Sequence, residues 1–310
     1  MLRFCTGFLL AVFLVSAAHA QADPQNLVRL GFFPPLDEDI VYRIDYRHER
    51  TFGSSRQVVD WTHELHMRLT RKEPPDLIAG TFSIRGVSAR EGAGDDLHYL
   101  IARAVEGETY GFKMLEHGAP VETDWPAIRT RIAERLPQLA DPRFAEMMVR
   151  ALSVFDPDGV QAVMRPFWAT SIGHLRAFNR DGTVSTVAGL NLPSWYQVPG
   201  STLETYGGRE EGTEDLFIAW RLTPPPGAAR DVLGAELRRL GQQVSNPTER
   251  AEVQAMIDKV MTGDFEALEG AVATYDPTPG LMREIGLDAR IVAGDFRRDM
   301  RIVITRLKPE

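Results

Sequence analysis

The chain has 310 residues, 44% of them hydrophobic and 25% charged, a composition typical of a globular protein rather than a disordered one. Its formal net charge of −8 disfavours nucleic acids and anionic membranes as partners, because both carry negative charge. The sequence contains one cysteine, Cys5, and neither a nucleotide-binding loop nor a catalytic-serine motif. We therefore expect no disulfide bond, no cofactor and no nucleic-acid partner.

Residues 1–20 have the features of a secretory signal peptide. Arg3 supplies a positive charge, Phe8–Val15 form a short apolar stretch, and Ala18-His19-Ala20 fits the pattern that signal peptidase cleaves. Cleavage after Ala20 leaves 290 of the 310 residues, without cysteine and with a formal net charge of −9 because Arg3 is removed. The sequence therefore predicts a periplasmic or secreted protein with no transmembrane segment after cleavage.

Apolar and polar residues alternate from Ile40 to about Met114, which predicts antiparallel strands with one face in the core. The alternation is clearest in two runs of apolar residues: Ile40, Tyr42, Ile44 and Tyr46, then Val59, Trp61, Leu65, Met67 and Leu69. Gly53-Ser54-Ser55 predicts the turn between these two strands, and Pro74-Pro75 ends the second. Further strands are predicted near residues 77–85, 97–105 and 109–115.

Two blocks of helical periodicity follow, at about residues 124–172 and 228–264. In the first block, a helix is predicted over Asp124–Leu139, and Asp141-Pro142 has the pattern that begins another. In the second block, Asn246-Pro247-Thr248-Glu249 is a capping box that predicts a helix start.

The remaining strands are predicted at residues 174–178, 183–188, 216–220, 271–275, 285–291 and 301–307. Antiparallel strands interrupted by helical blocks indicate an α+β fold, in which β-meanders form a curved or half-barrel-like sheet and the two blocks pack on it. We expect residues 21–310 to form a single domain, since no fixed repeat period supports two copies of one unit.

One segment fits neither period and is the candidate binding site. Trp195 and Tyr196 lie between Pro193 and Pro199, and aromatic side chains on a rigid loop often contact a ligand or a partner. The alternative is that the loop folds back and Trp195 fills the core.

Two polar motifs are interpreted as structural. His63-Glu64-Leu65-His66 has histidines three residues apart in a predicted strand, which places the two rings on opposite faces and excludes a shared metal ion. Glu64 and His66 share one face. The acidic residues Glu210, Glu211, Glu214 and Asp215 predict a solvated loop. We identify no metal site and no catalytic residue.

Three short motifs carry a resemblance to known proteins: Gly31-Phe32-Phe33-Pro34-Pro35-Leu36, Val41-Tyr42-Arg43-Ile44, and the turn from Tyr275-Asp276-Pro277 to Gly280-Leu281. With them the chain resembles exported bacterial proteins grouped as domains of unknown function. The resemblance implies an envelope protein of this fold type and implies no activity.

The sequence favours a non-catalytic envelope protein that binds an apolar small molecule or another envelope protein. Outer-membrane lipoprotein carriers are an analogy for this expectation at the level of architecture only. Two alternatives stay open: a hydrolase that acts on envelope polymers through a pair of carboxylates, and a structural or assembly factor.

Overall fold

A computed structural model describes residues 27–28, 33–73, 77–115, 120–142, 144–146, 149, 178–179, 183–191, 197–209, 215–225, 227–231, 234–235, 238, 247–278 and 280–308. The predicted signal peptide, residues 1–20, lies outside these residues, as do Trp195 and Tyr196.

Antiparallel strands dominate the described part of the chain. Their bounds are β1 Leu27–Val28, β2 Asp39–Phe52, β3 Ser55–Glu73, β4 Leu77–Glu91, β5 Thr109–Leu115, β6 Pro120–Thr123, β7 Phe178–Asn179, β8 Thr183–Asn191, β9 Gln197–Arg209, β10 Leu216–Thr223, β11 Phe265–Tyr275, β12 Met282–Ala293 and β13 Phe296–Leu307. Strands β1 and β7 form a separate pair. The other eleven form one sheet in the order β6-β5-β4-β3-β2-β13-β12-β11-β10-β9-β8.

The first and the last strand of this sheet in chain order, β2 and β13, meet in its middle. Strands β2–β6 lead outward from the centre as one meander, and β8–β13 lead inward as a second. The meanders are joined by the antiparallel pairing of β2 with β13, in which Ile44 lies opposite Ile304. The edge strands β6 and β8 do not pair with each other, so the sheet is open.

Three α-helices have described bounds: α1 Leu97–Val105, α2 Trp125–Leu139 and α3 Pro247–Thr262. A short 3₁₀-helix, Ala93–Asp95, precedes α1. The prediction of a strand at residues 97–105 is wrong, since this segment is α1. The Asp96 side chain accepts a hydrogen bond from the Tyr99 backbone N–H at 3.1 Å and caps the helix. The buried residues of α1 also fall in groups one helical turn apart rather than at alternate positions: Leu100, Ile101, Ala102, Ala104 and Val105.

Helix α2 confirms its prediction. The Asp124 side chain accepts a hydrogen bond from the Ala127 backbone N–H, and Ile128, Ile132 and Leu136 are fully buried. The start of the next helix is also confirmed, because Asp141 accepts from the Phe144 backbone N–H. Residues 150–172 of this block lie outside the described residues. No helix among the described residues is long and apolar enough to cross a membrane.

Strand β9 was not predicted, because its sequence contains Pro199 and several glycines, which disfavour strands. One of these glycines meets a specific steric need. A Cβ atom on Gly208 would lie 2.8 Å from the ring of Phe217, its cross-strand partner on β10. The packing of that aromatic ring across the neighbouring strand therefore favours glycine at this position.

The described residues are mostly β rather than a balanced α+β mixture, which corrects the predicted fold class. An open sheet is compatible with the predicted curved, half-barrel-like meanders. One cluster of buried apolar residues extends across both meanders, from Ile40 on β2 to Ile218 on β10. The sheet therefore has a buried face, called the inner face below, and an opposite outer face.

Candidate functional site

Strand alternation gives the inner and outer faces opposite chemistry. On the four central strands, β3, β2, β13 and β12, the inner face carries buried apolar side chains such as Leu65, Tyr42, Ile302 and Leu287. The outer face carries charged residues that pair across strands, for example Arg47 with Asp60 at 3.3 Å. The apolar inner face carries side chains from both meanders, and we treat it as the candidate site.

A group of aromatic and imidazole rings interrupts the apolar inner face. Tyr46 lies directly opposite Trp61, with ring centroids 5.3 Å apart, and Trp61 stacks on His63 at 5.0 Å. Helix α1 covers these rings: His98 lies 5.6 Å from Tyr46, and Tyr99 lies 5.9 Å from Trp61. We call this group the ring cluster; its members are Tyr46, His48, Trp61, His63, His98 and Tyr99.

The ring cluster has buried hydrogen-bonding atoms without partners among the described residues. These atoms are Nδ1 of His48, Nε1 of Trp61 and both ring nitrogens of His63. The other nitrogen of His48, Nε2, accepts a hydrogen bond from Nε of Arg50 at 3.0 Å. Because Nε2 is the acceptor, neutral His48 carries its proton on Nδ1. Nδ1 is therefore a buried donor available to an acceptor group.

The environment keeps the two most buried histidines neutral. Burial lowers the pKa of His63 to about 3, because the charged imidazolium would lose its hydration. Burial also lowers the pKa of His48 to about 2, and the positive charges of Arg298 and Arg50 contribute further. At neutral pH both rings are uncharged, so His63 can donate and accept hydrogen bonds with a polar molecule, whereas His48 can only donate, through Nδ1.

The opposite end of the central strands carries an ion-pair network. Asp276 accepts hydrogen bonds from Nε of Arg283, at 2.6 Å, and from Arg306, while Arg283 also pairs with Asp215. Burial raises the pKa of Asp276, but the two arginines outweigh it and hold this pKa below the ordinary value. This network ties the β11–β12 turn to β13 and to the start of β10, and is structural.

The structure confirms the interpretation of the histidine motif. His63 is buried in the ring cluster, whereas His66 points to the outer face and lies 2.9 Å from Glu64. Among the described residues, no group of three His, Cys, Asp or Glu side chains could hold a metal ion.

The candidate binding residues Trp195 and Tyr196 lie outside the described residues, so their role stays a prediction. The same holds for most of the acidic cluster at residues 210–215. Its last member, Asp215, is buried and paired with Arg283, which corrects the expectation that it belongs to a solvated loop.

Sequence reasoning missed the ring cluster as a unit. Alternation alone placed Tyr46 and Trp61 on an inner face, and the spacing of Trp61 and His63 put them on the same side of β3. Because residues 97–105 were predicted as a strand, the sequence did not indicate that His98 and Tyr99 lie against these rings. The hairpin register that brings Tyr46 opposite Trp61 was the signal that could have located the cluster.

No family model matches the chain, and no curated protein matches it either. Two solved structures are similar to different degrees. A structure titled "Lipid-protein interactions in lipovitellin" has a TM-score of 0.46 and 8% sequence identity. The match covers 89% of this chain and 25% of the lipovitellin chain. The chain thus spans a quarter of that protein's length. A crystal structure of MucB in complex with MucA(peri) has a TM-score of 0.14 and 9% sequence identity, and the match covers 86% of this chain and 89% of the other. Neither similarity defines a function.

Proposed function

We propose that this protein is an exported, non-catalytic binding protein that holds an apolar or amphiphilic molecule against the inner face of its sheet. The observation that carries the proposal is the composition of this face. Apolar side chains from both meanders surround one polar group, the ring cluster, whose Trp61 and His63 ring nitrogens have no partner among the described residues.

This composition fits the general chemistry of small-molecule sites. Such sites are lined mainly by apolar and aromatic side chains, and a few placed polar groups orient the bound molecule. Apolar contact supplies most of the binding free energy, and the unpartnered N–H groups would select a molecule with an acceptor. An aqueous compartment outside the cytoplasm, which residues 1–20 predict, is also where an apolar molecule needs a protein to shield it from water.

The direct test is to express the full chain with its own signal sequence, purify it from the periplasm, and record native mass spectra. We expect mass additions that disappear after solvent extraction, with the extracted molecules identified by mass spectrometry. A protein of bare-chain mass that also fails to bind a neutral apolar dye would refute the proposal.

Adjacent residues on β11 provide a matched pair of variants. Ala271 is buried on the inner face, whereas Val272 is 56% exposed on the outer face. Ala271→Phe should reduce the bound material, because its ring occupies the inner face, and Val272→Phe should not. Overpacking costs about 1–3 kcal/mol, so thermal melts must first establish that the Ala271→Phe protein is folded. Equal loss of bound material in two folded variants would contradict an inner-face site.

The hydrolase alternative gains no support from the described residues. A general acid needs a carboxyl group with a raised pKa. The described carboxyl groups with a resolved pKa shift, Glu49, Asp276 and Asp299, all have a lowered pKa, and each accepts hydrogen bonds from arginine.

A further inference from the structure

Two arginines face each other on the inner side of the central strand pair. Arg50 of β2 lies directly opposite Arg298 of β13 in the antiparallel register. Both follow the same alternation as the buried inner-face residues Tyr46 and Met300. Directly opposite residues have Cβ atoms about 5 Å apart, and like charges in this arrangement are unfavourable unless something neutralises them.

No carboxylate among the described residues pairs with either arginine of this inner pair. Arg50 makes its one described hydrogen bond to His48. The same two strands carry a second in-register pair, Arg47 opposite Arg301, on the outer face. There each arginine has an acidic partner, since Arg47 pairs with Asp60 at 3.3 Å and Arg301 with Asp288 at 3.9 Å. The inner pair thus lacks the compensation that its outer counterpart has.

The described neighbours of the inner pair form no ion pair with it. His48 is fully buried beside Arg50 and accepts the hydrogen bond of Arg50 through Nε2. Asp96 is near enough to favour the charge of Arg50, but its carboxylate caps α1 through the Tyr99 backbone N–H and lies 3.9 Å from His98. Partial burial and the charge of Arg298 together lower the pKa of Arg50, and the charge of Asp96 offsets this only in part.

We infer that Arg50 and Arg298 form a subsite for the anionic head group, a carboxylate or a phosphate ester, of an amphiphile whose apolar chain lies on the inner face. This inference rests on the proposed function and names the class of molecule bound. Guanidinium groups bind both anions with paired hydrogen bonds. Arg50 is exposed at the end of the inner face, next to the β2–β3 turn, which places this subsite at the solvent edge of the face.

The test uses delipidated full-length exported protein and the displacement of the neutral dye N-phenyl-1-naphthylamine. The competitors share a chain of the same length: palmitate, hexadecyl phosphate and uncharged 1-hexadecanol. Inorganic phosphate alone is the fourth probe. The variants are Arg50→Gln with Arg298→Gln, and, as the matched control on the outer face of the same strands, Arg47→Gln with Arg301→Gln.

In the wild-type protein, at least one anionic amphiphile should displace the dye about tenfold better than 1-hexadecanol, the effect of charge-assisted hydrogen bonds. The inner-pair variant should reduce this preference to about threefold or less while 1-hexadecanol binding stays within about twofold, and the control should keep the preference. Whichever of palmitate and hexadecyl phosphate shows the larger preference identifies the head group.

The outcomes separate this inference from the proposed function. If 1-hexadecanol and both anionic amphiphiles bind equally well, the inner face binds apolar molecules and the head-group subsite is refuted. If inorganic phosphate binds as tightly as hexadecyl phosphate, the arginines hold a free anion and the inference is likewise refuted. If neither the dye nor any amphiphile binds, the proposed function itself fails.

Discussion

The buried histidines make a quantitative prediction about stability and pH. The pKa values of His48 and His63 are about 2 and about 3 in the folded protein, against 6.5 for an ordinary histidine. At a pH between these values and 6.5, each of the two histidines is protonated in the unfolded chain and neutral in the folded one. The free energy of unfolding is therefore highest above about pH 7.5 and falls as the pH drops below 6.5.

The magnitude follows from the same pKa values. At about pH 5 each unfolded-state histidine is almost fully protonated, which favours unfolding by about 2 kcal/mol per residue at 1.4 kcal/mol per pH unit. His48 and His63 together should lower the free energy of unfolding by about 4 kcal/mol relative to pH 7.5. Carboxylates with a lowered pKa, such as Asp276, act at lower pH and leave this window largely to histidine.

The assay is urea unfolding followed by tryptophan fluorescence at several values between about pH 5 and 7.5, which yields the number of protons taken up on unfolding. His63→Phe keeps an aromatic ring near Trp61 and should lower the number of protons taken up on unfolding from about two to about one. His66→Asn, on the outer face of the same strand, is the control. The prediction is refuted if the stability of the wild-type protein is constant between these pH values, or if His66→Asn reduces the proton uptake on unfolding as much as His63→Phe does.

Two further predictions concern packing and ion pairing. In thermal melts, Gly208→Ala should destabilise the protein by about 1–3 kcal/mol, because the new Cβ atom meets the Phe217 ring. A Cβ atom at Gly286 has no neighbour within 4 Å, so the stability of Gly286→Ala should stay within about 0.5 kcal/mol of wild type. If Gly286→Ala lowers the stability and Gly208→Ala does not, the predicted clash with the Phe217 ring is refuted. Asp276→Asn removes the negative charge and one of the two oxygens that accept hydrogen bonds from Arg283 and Arg306. It should cost about 1–3 kcal/mol in urea unfolding at neutral pH, and this loss should disappear in strong acid, where the wild-type carboxyl is protonated. An equal loss at both pH values would show that the charge of Asp276 does not matter.

Local physical signals made several elements predictable. The alternation of β2 and β3, the turn at Gly53 and the start of α2 at Asp124 all depend on residues close in sequence. Competing local signals caused the errors. In α1 a dense apolar run obscured the Asp96 cap, and in β9 the glycines and Pro199 obscured a strand whose pairing with its neighbours outweighs its low propensity.

The sequence alone determined that half-buried antiparallel strands form, which side chains share a face, and that His63 and His66 cannot act together, because these properties follow from the two-residue period of a strand. The tertiary structure alone decided that the first meander joins the last through β2 and β13. This pairing places Arg50 opposite Arg298, and the packing of α1 brings His98 against Tyr46. Such contacts join residues far apart in the chain, and no local periodicity encodes them because they depend on how whole elements pack together.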